Sequence, residues 1–165
     1  MKKSSTKIKS GSTLFLKTVL VLFAFGVLAG MLWFPQTEGR AATLDLISIY
    51  KDPFIIYMYI GSIPFFVGVY QAFKLLHYID ASNAFSQGAI NTLKTMKLAA
   101  LCLIGFIALA LFYIRFFAQG DDPAGPTALG ILASFAIAVI ATAAAVFQKL
   151  FQNAVDLKSE NDLTV

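Results

Sequence analysis

The residues able to do chemistry are few and scattered along the chain. His77 stands alone, so it has no second imidazole with which to share a metal. Cys102 is the lone cysteine and lies in an apolar run, so no intramolecular disulfide and no Cys-x-x-Cys metal motif can form. Asp121 and Asp122 are adjacent carboxylates, but they fall in Gly-Asp-Asp-Pro-Ala-Gly-Pro, where glycine and proline are turn chemistry. The pair reads as a solvated turn rather than a cation site. There is no phosphate-binding glycine loop, nucleophile elbow or metal-ligand cluster. The expectation is therefore no catalytic residue, no cofactor and no metal, and the chain reads as a non-enzyme.

The remaining charges speak to position rather than reaction. Hydrophobic residues make up 58% of the 165 residues and charged ones only 13%, against about 25% charged in an ordinary soluble domain. A small globule cannot hide that much apolar surface. Lipid is the solvent that fits. Four apolar runs stand out, at residues 14–34, 53–73, 98–118 and 127–147, each near the roughly 20 residues that cross a bilayer core. The first follows a basic segment but is longer than the roughly 7–15 residues of a signal-peptide core, so it reads as a retained helix.

Orientation follows from Lys and Arg. Ten fall on one side: Lys2, Lys3, Lys7, Lys9, Lys17, Lys74, Lys94, Lys97, Lys149 and Lys158. Three fall on the other: Arg40, Lys51 and Arg115. The rich side is expected to be cytoplasmic, with both termini and the connection between the second and third spans inside. The basic N-terminus reads as a topology signal rather than a nucleic-acid site. The fold class is thus all-α, a single polytopic membrane domain over 1–165 with four transmembrane helices, N-in and C-in. A short helix is expected on the outer surface, from the spacing of Leu44, Ile47 and Tyr50.

Close packing in lipid needs small residues. Gly26 and Gly30 on the first span, Gly61, Gly68 and Ala72 on the second, and Gly130, Ser134, Ala138 and Thr142 on the fourth are the expected helix contacts. A homo-oligomer through the same stripes is the second reading. Pro64 removes a donor in mid-span and is expected to bend its helix. No span carries a charge at its centre, which speaks against an ion-coupled carrier.

The inner connection, taken as residues 78–96, and the tail, taken as 152–165, are the distinctive segments. Ser86 is a good N-cap, with Phe85 at N′ and Ile90 at N4 as in a hydrophobic staple. A short cytoplasmic helix should start there and lead into the third span, while the fourth extends as a helix into the cytoplasm. Lys94 and Lys97 face a tail bearing Asp156, Glu160 and Asp162, and connection and tail are expected to form one surface.

At these segments the sequence resembles a known family. Leu-Leu-His-Tyr-Ile-Asp at 75–80, Phe85-Ser86, and Leu-Lys-Thr-Met at 93–96 are similar to bacterial membrane proteins of domain-of-unknown-function family 2975, as is the closing Glu160-Asn161-Asp162-Leu163-Thr164. Members of that family are often encoded beside a small helix-turn-helix regulator. The resemblance implies a bacterial plasma-membrane protein that partners a cytoplasmic DNA-binding protein without touching nucleic acid itself. The expected partner surface is Phe85, Ser86, Leu93, Lys94, Glu160, Asn161, Asp162 and Leu163. Two other readings stand beside a sensor or regulator. One is a passive transporter or channel lined by Tyr57, Ser62, Gln71 and Thr142. The other is an immunity protein that meets a membrane-active peptide at its outer face.

Overall fold

The structure, a computed structural model, describes residues 4–37, 45–117 and 124–163, with side chains other than those of 4–10, 46 and 161–163. The expected turn at Asp121 and Asp122, together with Arg40 and Leu44, lies outside the described residues. Among the described residues five helices follow in order: α1 (Ser4–Thr37), α2 (Leu46–Tyr50), α3 (Pro53–Asp80), α4 (Gln87–Phe116) and α5 (Ala124–Leu163). All but α2 are long and apolar enough to cross a membrane. Their large apolar side chains point outward, with Trp33 70% exposed and Leu129 69%. That is the inverse of a water-soluble fold and the arrangement lipid requires.

Local chemistry sets the boundaries. Asp52 caps α3 by accepting from the Phe54 amide at 2.8 Å, and Pro53 fills the first helical position, where no donor is needed. Ser86 caps α4, its hydroxyl accepting from the Ala89 amide at 3.3 Å. The end of α3 is a Schellman turn: the Asn83 amide donates to the Tyr78 carbonyl at 2.9 Å and the Ser82 amide to the Ile79 carbonyl at 3.1 Å. Ser82 holds the left-handed position of that turn, at φ 55°.

Helices α3 and α4 both run further than the apolar runs suggest, so the inner connection is only 81–86. Pro64 sits inside an unbroken α3. The spans pack in sequence, α1 on α3, α3 on α4 and α4 on α5, and among the described residues no other pair of spanning helices brings its Cα atoms within 8 Å. The four therefore form an open row, one helix thick, rather than a closed bundle. Each contact is antiparallel, so the start of α1 and the end of α5 lie on the same side.

The row corrects the small-residue stripes. Nothing lies within 4 Å of where a Cβ would stand on Gly26, Gly30 or Gly68, so these face open space. Gly61 does meet a neighbour, the Phe106 ring at 3.3 Å, and Gly130 meets Leu111. On α5 the less exposed positions include Gly130, Ser134, Ile137, Ala138, Ala141, Ala144 and Gln148, so of the expected stripe Thr142 alone is exposed. The physical reason is periodicity. A strict spacing of four drifts around a 3.6-residue helix, whereas mixed steps of three and four keep one seam on its partner.

Candidate functional site: the junction of α3 and α4

Burial is uneven along the row. Four residues largely removed from solvent cluster at the start of α4, Ala89, Ile90, Thr92 and Leu93, with Leu93 2% exposed, while Ile55 and Pro35 are as deeply buried at the other end. This tight region lies at the lysine-rich end, next to the connection 81–86. Thr92 donates from its hydroxyl to the Gly88 carbonyl at 2.9 Å, so even its polar atom is satisfied within the helix.

From here single side chains reach each of the other spans. Tyr78, near the end of α3, lies across Gly88 on α4; a Cβ on Gly88 would stand 2.5 Å from the Tyr78 hydroxyl. Asp80, the last residue of α3, pairs with Lys17 of α1 at 2.5 Å and also accepts from the Thr13 side chain. The Lys17 ammonium is 5.5 Å from the centre of the Phe73 ring as well. Phe85 meets Phe151 of α5 edge to face, the ring centres 5.0 Å apart, a geometry aromatic quadrupoles favour. A segment of twelve residues, 77–88, thus holds all four spans together at one end.

At the opposite end tyrosines do the corresponding work. The Tyr59 hydroxyl donates to the Met31 carbonyl at 2.9 Å and the Tyr57 hydroxyl to the Phe106 carbonyl at 2.7 Å. These residues sit two apart on α3, so one reaches α1 and the other α4. Tyr50 of α2 donates to the Leu32 carbonyl and accepts from Gln36, both at 3.0 Å.

The expected partner residues divide as follows. Phe85 is 63% exposed even with Phe151 against it. Lys94 and Glu160 are exposed and Ser86 is half-buried. Leu93 lies inside the packed start of α4, so it supports that surface from beneath. Asn161, Asp162 and Leu163 are on the last turn of α5, and their side chains lie outside the described residues. The Phe85 ring ties the connection to α5 at Phe151, just before the tail, and the final turns of α5 continue past that contact. Sequence reading missed the Lys17–Asp80 pair, the Tyr78–Gly88 contact and the Tyr59–Met31 bond. A lysine inside a span with a carboxylate at the same depth was a signal for the first. Among the described residues no three His, Cys, Asp or Glu side chains gather as a metal would need.

Four long apolar helices, joined in a row and facing lipid on both sides, define a polytopic α-helical membrane protein. The chain belongs to the family described as "Protein of unknown function (DUF2975)", whose profile matches residues 36–165 and so takes in α2 to α5 and the junction. It is 42% identical over 156 residues to "Uncharacterized membrane protein YoaS" of Bacillus subtilis (strain 168), covering 93% of this chain and 98% of that protein. No solved structure matches.

Proposed function

We propose that the protein is a non-enzymatic regulator in the bacterial plasma membrane, with its lysine-rich side in the cytoplasm, that presents the junction and the end of α5 to a cytoplasmic helix-turn-helix protein. The observation that carries this reading is the convergence of contacts from all four spans on residues 77–88. A ligand or bilayer change that altered helix spacing would reach Phe85 and Lys94 through Asp80, Tyr78 and Phe151. Such coupling needs the signal to favour one arrangement of the row over another. Helix α5 supports it by length: its 40 residues extend about 60 Å, roughly twice the hydrocarbon thickness.

The passive-transport reading has less support. Tyr57, Ser62 and Thr142 donate their hydroxyl hydrogens to backbone carbonyls. An open row also encloses no path within one chain. The immunity reading has no particular contact in its favour.

The test is binding of a purified small helix-turn-helix regulator, of the kind often encoded beside members of the family, to the full chain in nanodiscs. Binding is expected, lost on removal of residues after Asp156 and weakened by Lys94→Glu, while Trp33→Ala at the other end leaves it unchanged. No binding to the intact chain overturns the reading.

A further inference from the structure

The row leaves its two end helices half used. Of the described helices, α1 approaches only α3 and the small α2, and α5 approaches only α4. Their far sides are apolar and open. On α1 that side carries Phe15 and Leu22, 68% and 66% exposed, with Gly26 bare beside them. On α5 it is a shallow depression between Phe135 and Phe147, floored by Ala138, Thr142 and Ala143.

Charge says what covers these faces. The sequence carries Lys2, Lys3, Lys7 and Lys9 within its first nine residues, and Lys149, Asp156, Lys158, Glu160 and Asp162 along the last turns of α5. Both ends lie on the same side of the row, yet two helices separate them within a chain. Two α1 flanks set together would oppose lysine to lysine, and two α5 flanks, each with three carboxylates against Lys149 and Lys158, would gain no net attraction. Placing α1 against α5 of another copy sets a cationic flank on a net acidic one, and like-charge juxtaposition is what discriminates between docking modes.

Depth agrees with that pairing. The contacts Tyr59–Met31, Gly61–Phe106 and Leu111–Gly130 carry the antiparallel register from α1 across to α5. They set Gly26 at about the level of Ala138, and the lysines of α1 at about the level of Asp156 and Glu160. We infer that the protein self-associates head to tail, the free face of α1 in one copy seated on the free face of α5 in the next. Such a heterologous contact closes into a ring or continues as a file of copies. This goes beyond the regulatory reading and does not depend on it.

The experiment is cross-linking of the full chain in native membranes, with Cys102 replaced by alanine. Phe15→Cys and Leu150→Cys are both exposed, near the lysine-rich interface and at matching depth. Co-expressed as separate single-cysteine chains, they are expected to give a mixed cross-linked dimer, and each alone to give little. Asp156→Lys with Glu160→Lys should lower the yield several-fold, and adding Lys7→Glu with Lys9→Glu should restore it. Equal cross-linking of either single variant with itself, or insensitivity to the charge reversals, overturns the proposal. As a measurement free of cysteine variants, native mass spectrometry of the unmodified protein from nanodiscs is expected to show oligomers; monomers alone overturn it.

Discussion

The Tyr59 hydroxyl donates to the Met31 carbonyl, 2.9 Å away on the neighbouring helix, and Met31 is the residue whose helical partner would be the amide of position 35. Proline stands there, inside α1 and almost fully buried, and has no amide hydrogen to give. In lipid no water can take its place. The tyrosine on α3 therefore repairs the backbone of α1 and in doing so fixes where the two helices meet.

Tyr59→Phe is expected to destabilise the protein by about 1 kcal/mol, the order measured for polar contacts between membrane helices. In a Pro35→Ala background the new amide can serve Met31, so the same Tyr59→Phe change should cost less. A double-mutant cycle on thermal unfolding in detergent checks this, and equal costs in both backgrounds would contradict the repair.

The Lys17–Asp80 pair gives a second prediction. Lys17→Met or Asp80→Asn should each lower the thermal midpoint and loosen α1 from α3, read as a rise in protease access to α1. The exchange Lys17→Asp with Asp80→Lys should recover part of the loss. A swap no better than the worse single variant would mean that the pair does not hold the helices.

Ser82 occupies a left-handed conformation that costs a side chain about 1 kcal/mol and glycine nothing. Ser82→Gly is expected to raise stability by about that amount. An unchanged or lower midpoint in thermal unfolding would count against the strain.

Two glycines should differ although both are crowded. At Gly88 an added methyl meets the Tyr78 ring, wedged at the packed start of α4, and Gly88→Ala should cost about 1–3 kcal/mol as overpacking does. At Gly130 the obstacle is the tip of Leu111, which can change rotamer. Gly130→Ala should be close to neutral, helped by about 1 kcal/mol of helix propensity. Thermal midpoints of the two variants compare them directly.

Four spans, the α4 cap and the extension of α5 are legible in the sequence because they depend on local signals. Run length marks the spans, and the serine hydroxyl at 86 marks the start of α4. The row is not legible, since Gly26 and Gly30 carry the same spacing as residues that do pack. Which small residues meet a neighbour depends on helix order, and charge and periodicity do not encode that order. At the junction, Phe85 and Ser86 could be found as motif residues, but the grip of Asp80 on Lys17 joins positions 63 apart in the chain.

A layer one helix thick has consequences that a compact bundle lacks. It bends like a folding screen, panel against panel, rather than resisting as a solid post. Its breadth at the lysine-rich edge is held by residues 77–88, and at the opposite edge by Tyr50, Tyr57 and Tyr59 with the buried Ile55 and Pro35. Bilayer thickness, curvature and lateral pressure would thus be expressed as a difference in splay between the two edges. The lysine-rich edge carries the long arm of α5, which would turn a small change of angle in the membrane into a larger displacement at its tip.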